Sequence, residues 1–221
     1  MNKSKNILVI GDIILDKFVY GKVIKVSQEA PVPVFNKSLS NYRLGGAANV
    51  AVNLESLNCK AILIGLFGQD KEINKKTLSL IKKNNISFVK ILDRDYTIPV
   101  KSRFFSNNQQ IFRVDKEYPN KKDYSDLIIK KLEMLINRFE IVILSDYDKG
   151  ILNKSNKIIE YLKSKKKIIL VDPKSSDFKK YKGSYLIKPN RYEMEKVINK
   201  SSISSHFNNL VKKEIIKNKI K

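Results

Sequence analysis

Asn6-Ile7-Leu8-Val9-Ile10-Gly11-Asp12 is a continuous apolar run that closes on a glycine and delivers an acid. A run this short, bounded by turn residues, predicts a strand over 6–11 that is buried on both faces. The pattern returns twice: Ile141-Val142-Ile143-Leu144-Ser145 leads to Asp146, and Ile168-Ile169-Leu170-Val171 leads to Asp172. Helical patterns over 45–58, 70–84, 123–138, 154–164 and 190–199 are interleaved with further strands at 60–67, 86–92 and 184–187. That alternation predicts an α/β fold, with a mostly parallel sheet covered on both faces by helices. In such sheets ligands bind outside the carboxyl ends of the strands, so aspartates placed there predict a polar site.

Two stretches break the rhythm. Residues 17–26 and 31–36 alternate apolar with polar, and so do 97–105 and 110–115, with Asn107-Asn108 as the hairpin turn. Pro31 and Pro33 belong at an edge or in a turn. These excursions, about 17–42 and 93–115, predict a small separate β-structure over the edge of the main sheet. Residues 1–199 are expected to form one domain, incomplete by the resemblance given below, and 200–221 a weakly structured tail.

The 221 residues carry a formal charge of +22, which first suggests a nucleic acid or an anionic surface. Only six of the 44 basic residues are arginine, the residue suited to bidentate phosphate and base recognition, and the lysines are scattered. A solvated lysine coat is the simpler reading, and no specific nucleic-acid partner is expected. No apolar run approaches a membrane span, the polar start is no secretory signal, and the single Cys59 suits a reducing compartment. The expected location is cytoplasmic, without a membrane partner. One Cys and one His, His206, give no zinc constellation.

The chemistry-bearing groups cluster after the strands. Gly45-Gly46 at a helix start lets a ligand approach the backbone, with Asn49 one turn on; close packing of the helix on the sheet is the bland alternative. Asp12 and Asp16 flank the turn after the first strand and could hold sugar hydroxyls, or could merely cap that turn. Asp146 with Lys149, and Asp172 with Lys174, each place an acid beside a cation. A lysine there is a natural phosphate ligand, although solvent-facing lysine is the default. Asn190 and Glu193 open the last helix, where a capping box explains them equally well.

Taken in order, ILVIGDIILDKFVYGKVIKVSQEAPVPV, LGGAANVAVNL, QQIFRVD, SDYDKG, DPK and KPNRYEME resemble the ribokinase-like (PfkB) carbohydrate kinases. Within them, the segments EAPVPV, QQIFRVD and SDYDKG are most similar to the D-glycero-β-D-manno-heptose 7-phosphate kinases of lipopolysaccharide core synthesis. The resemblance covers residues 6–199. It implies ATP-dependent phosphorylation of the anomeric hydroxyl of a sugar 7-phosphate, a β-lid, and a homodimer through that lid. Asp12, Asp16, Gly45, Gly46 and Asn49 would contact the sugar, with Asp172 beside them. Gln109, Gln110 and Arg113 would belong to the lid, and Lys149 and Lys174 would favour phosphate groups. Asn190, Arg191, Tyr192 and Glu193 match the segment for ATP and its hydrated Mg²⁺, Glu193 reaching the metal through water.

The departures are specific. The family's Gly-Ala-Gly-Asp segment, which supplies the anion hole and the aspartate base, would lie beyond residue 221, and no earlier copy exists. The catalytic base is therefore expected outside this chain, in a C-terminal half that could be separately encoded, and transfer is expected to be impaired without it. Lys25 and Gln28 stand where the heptose branch usually has an arginine and a proline. The alternatives to an impaired kinase are a non-catalytic sugar-phosphate-binding fragment and a gene remnant.

Overall fold

A computed structural model describes residues 6–202 and 206–220. From the amino end the chain forms β1 (Asn6–Gly11), β2 (Ile13–Val26), β3 (Pro33–Gly46), α1 (Ala47–Ser56), β4 (Lys60–Phe67), α2 (Lys71–Lys83) and β5 (Ser87–Leu92). It continues through β6 (Val100–Ser106), β7 (Gln109–Lys116), α3 (Ser125–Leu135), β8 (Ile141–Ser145), α4 (Ser155–Ser164), β9 (Ile168–Asp172), β10 (Leu186–Ile187), α5 (Arg191–Ile198) and α6 (Phe207–Lys217).

Six strands make the central sheet in the order β10-β9-β8-β1-β4-β5, and every neighbouring pair is parallel. Leu8, Val9 and Ile10 of β1 are wholly buried, as expected of a strand with helices on both faces. α1 lays Ala47, Ala48 and Ala51 against the sheet, α3 lays Ile128 and Leu132, and α4 lays Ile158, Ile159 and Leu162. Each of the larger side chains contributes about 1.5–3 kcal/mol by leaving water. The chain builds outward from β1 through β4 to β5, then returns to place β8 on the other flank of β1. The order therefore reverses between β1 and β8, and the crevice at their carboxyl ends is where this architecture binds ligands.

The second sheet runs β3-β2-β6-β7. β2 and β3 pair antiparallel along their length, whereas β2 and β6 pair in parallel. The turn between β6 and β7 falls on Asn107 and Asn108, both left-handed (φ 49° and 65°), the conformation that a two-residue hairpin requires and asparagine tolerates. β2 and β3 are longer than the alternation suggested. Asn36-Lys37-Ser38-Leu39-Ser40-Asn41 has no apolar face, so only its pairing with β2 makes it a strand. The glycine pair therefore closes β3, and α1 begins directly after it, later than the expected start at 45.

α6 falls within the stretch expected to be a weakly structured tail. Its Phe207, Val211 and Ile215 pack against the core, and Ile220 beyond it is buried. Residues 203–205 and 221 of that stretch lie outside the described residues. No described helix is long and apolar enough to cross a membrane.

Candidate functional site

Asp12 is the first residue past β1 and it ties three elements together. Its N–H donates to the carbonyl of Ser145 in β8, 3.2 Å away, and its own carbonyl accepts the N–H of Ala47 at the start of α1, 2.9 Å away. Its carboxylate accepts backbone N–H groups from Tyr147 (2.9 Å), Lys149 (3.1 Å) and Ile151 (3.3 Å). Only 1% of the surface of Asp12 is exposed, so it lies beneath the crevice. Burial, reinforced by the nearby charge of Asp146, pushes its pKa up to about 6 against the pull of the three N–H groups. A carboxyl raised in the folded state favours the fold below its unfolded pKa, and that contribution is lost as pH climbs from about 4 through about 6.

Asp146 is buried too, but its charge is met. Lys180 Nζ lies 3.0 Å and Tyr181 Oη 2.6 Å from its Oδ2, and the Asp148 N–H donates to Oδ1 over 2.8 Å. Tyr181 is itself fully buried, so Tyr181→Phe would strip one donor from a carboxylate that is almost wholly shielded from water. The expected cost is about 1–3 kcal/mol, read as a lower urea midpoint with an unchanged slope.

Asp16 sits within β2, opposite Arg43 of β3 and Lys101 of β6. Its Oδ1 is ion-paired with Arg103 Nη1, both side chains remaining partly exposed. A Cβ on Gly45 would lie 2.5 Å from Asp16 Oδ2, so the missing side chain is the space the carboxylate occupies. Arg43 and Arg103 both lie over the Phe18 ring, at 5.0 and 5.6 Å from its centroid. The outcome is a carboxylate paired with Arg103, with Arg43 and Lys101 at the register positions opposite it and the Lys101 ammonium drawn to Asp115 at 3.4 Å, beside the start of α1, where Asn49 is exposed in the first turn. Arg103 was not singled out from sequence. Its signal was available: it is one of six arginines in a chain that otherwise uses lysine.

A second opening, a cleft of about 250 Å³, lies past β8, β9 and β10, lined by residues that include Asp146, Tyr147, Asp172, Lys174, Lys188 and Glu193. Lys188 pairs with Asp172 at 3.1 Å and Lys174 with Glu193 at 3.3 Å. Asn190 and Glu193 form a complete capping box: Asn190 Oδ1 accepts the Glu193 N–H and Glu193 Oε2 accepts the Asn190 N–H, each at 2.9 Å. Two exposed lysines at the mouth, beside the amino end of α5, suit the phosphates of a nucleotide. A directly held divalent ion fits less well. Glu193 is already engaged at both oxygens, and the described residues contain no group of three or more His, Cys, Asp or Glu able to hold a metal. A metal at this cleft would have to arrive on the nucleotide's own oxygens.

The remaining expected residues are more dispersed. Lys149 Nζ is turned to Glu117 at 2.8 Å, just past the end of β7. Arg113 lies opposite Arg103 in the ladder but pairs with Asp115 at 2.9 Å, and Gln109 and Gln110 are exposed at the hairpin. Arg191 and Tyr192 are exposed on α5, with Lys196 over the Tyr192 ring. Asp16, Gly45 and Gly46 are thus brought together, as are Asp172, Lys174, Asn190 and Glu193. The hairpin glutamines are held apart from both groups in the described structure.

A parallel sheet of this order, a second sheet rising from its rim and acids and cations at the reversal point define a sugar-kinase type of architecture. The chain belongs to the pfkB family of carbohydrate kinases, whose family model matches residues 4–219. Among curated proteins it is similar to the bifunctional protein HldE of Pasteurella multocida, 37% identical over 198 residues that cover 90% of this chain and 41% of that protein. The bifunctional protein HldE of Helicobacter pylori strain P12 is 42% identical over 209 residues, covering 92% of this chain and 45% of its own length. The chain therefore spans less than half the length of these relatives. In fold it matches phosphofructokinase-2 from Escherichia coli, solved in a tetrameric inhibited form, with a TM-score of 0.76 at 17% identity, over 99% of this chain and 72% of that one. Ribokinase from Giardia lamblia matches with a TM-score of 0.69 at 15% identity, over 97% of this chain and 66% of that one.

Proposed function

We propose that this chain is the ligand-binding part of an ATP-dependent kinase that phosphorylates D-glycero-D-manno-heptose 7-phosphate at its anomeric hydroxyl, a step toward ADP-heptose for the lipopolysaccharide core. The observation that carries the reading is the Asp16–Arg103 pair set against Gly45 at the strand-order reversal. A carboxylate held there accepts sugar hydroxyls in fixed geometry, and the surrounding Arg43, Lys101 and Arg103 favour a substrate that itself carries phosphate. Asn49 adds an amide from α1. Lys174 and Lys188 would take the phosphates of ATP at the second cleft, with Asn190 and Glu193 ordering the start of α5. A divalent ion, Mg²⁺ in this reading, would come with the nucleotide and neutralise charge on its phosphates. The identity to two bifunctional HldE proteins supports the heptose branch over other sugars.

Transfer itself needs a base and a set of backbone donors for the transferring group. No segment of this chain matches the Gly-Ala-Gly-Asp that the family uses. We infer that the 221 residues alone bind better than they turn over, with the base supplied by a further segment, within one chain or on another. Calorimetric titration should show heptose 7-phosphate binding to the isolated chain, and a coupled ADP assay should show little or no turnover. Turnover at a rate typical of sugar kinases would refute the need for the further segment; no sugar-phosphate binding would refute the kinase reading as a whole. The exposed Val23, Val26, Phe112 and Val114, with stacked Phe104 and Phe112 rings 4.3 Å apart, support a homodimer through the second sheet acting as a lid.

A further inference from the structure

Among all the acids at the site, one is fully withdrawn from it. Asp12 does not open a helix, so capping does not explain it, and its near-complete burial leaves no face for a ligand. Its oxygens are shared out in a particular way. Oδ2 accepts from both Tyr147 and Lys149, and Oδ1 from Ile151, so three amides from one five-residue loop converge on one side chain. The loop is held at a second point, because Lys149 Nζ reaches Glu117 past the end of β7. Asp148 within it has a left-handed backbone (φ 57°) and Gly150 a positive φ of 118°, turn conformations that aspartate tolerates and glycine adopts freely.

We propose that Asp12 is a positioning residue whose buried carboxylate fastens the loop Tyr147–Ile151, and with it the Lys149 ammonium, to the exit of β1 beside the ligand site. That this loop borders a ligand site rests on the function proposed above; the fastening does not.

Only a carboxylate fits the pattern. An asparagine at position 12 has one acceptor oxygen, and in either orientation its NH₂ group would face backbone N–H donors, losing one or two of the three bonds. Among the described residues no cationic side chain is a hydrogen-bond partner of Asp12. The titratable groups that face it are Asp146 past β8 and the neutral Tyr96 phenol past β5, raised by burial and by Asp12 itself; the Lys149 ammonium is turned to Glu117. Protonation would place a hydrogen on an oxygen that faces backbone N–H donors, so the loop should slacken on the acid side of pH 6 while the neutral carboxyl stays buried and the sheet intact, whereas a carboxylate serving only as packing would leave the loop indifferent to pH.

Nuclear magnetic resonance of the ¹⁵N-labelled 221-residue chain tests this without any substrate. In the wild type, the amide shifts of Tyr147, Lys149 and Ile151 should follow one common titration centred near pH 6. In Asp12→Asn that titration should vanish, and the three amides should exchange with solvent at least 10-fold faster at pH 7.5, while Leu8 and Val9 in β1 keep their protection. Should Asp12→Asn fail to fold, the wild-type titration decides alone. Three amides that titrate independently or not at all near pH 6, or an Asp12→Asn loop protected like the wild type, would overturn the proposal. Neither result depends on whether the chain binds a heptose, so the fate of the kinase reading is scored separately by calorimetry.

Discussion

Gly46→Ala is expected to cost the fold about 3 kcal/mol, the sum of a left-handed backbone and an overlap that no rotamer relieves. Gly46 has φ 56° and ψ −140°, a region that residues with a side chain scarcely enter. A Cβ there would overlap the carbonyl oxygen of Asp12, the same oxygen that accepts the Ala47 N–H and starts α1. The oxygen cannot yield without dragging β1 and its buried carboxylate along. For a domain of this size the loss should appear as a fall in Tm of roughly 10 °C. A variant melting within two degrees of the wild type would show that β1 and α1 are less tightly juxtaposed than described.

Asp16→Ala should weaken binding of heptose 7-phosphate by about 10–100-fold, the worth of one hydrogen bond to a charged group. The substitution also leaves Arg103 without its partner and leaves empty the space beside Gly45. Asp16 is partly exposed and pairs at the rim of the core, so Tm should change far less than for Gly46→Ala. Calorimetry against the sugar phosphate, with circular dichroism to verify the fold, separates the two effects. Unchanged affinity in a folded Asp16→Ala chain would remove the carboxylate from the sugar site.

Legibility followed burial. The strands of the central sheet could be read because both their faces are covered, which demands the unbroken apolar runs at Ile7–Ile10, Val142–Leu144 and Ile169–Val171. The capping box at Asn190 and Glu193 and the hairpin at Asn107-Asn108 were legible because their chemistry is local. The segment 36–43 was not, since a strand exposed to water on a small sheet needs no periodic apolar face. Arg103 escaped for a related reason: its meaning comes from lying opposite Phe18 and beside Asp16, a parallel pairing between strands about 85 residues apart in sequence.

Amino-acid order alone settled that this chain folds as alternating strands and helices with acids delivered at strand ends, because backbone hydrogen bonding and apolar burial act over a few residues at a time. Which of those acids stays open to solvent was decided in three dimensions. Asp12 and Asp16 are four residues apart and chemically identical, yet packing of β8 over the first turns its carboxylate inward onto three amides, while pairing of β2 with β6 leaves the second open beside an arginine. Solvation and partner geometry are properties of the assembled sheets, and no local pattern in the sequence encodes them.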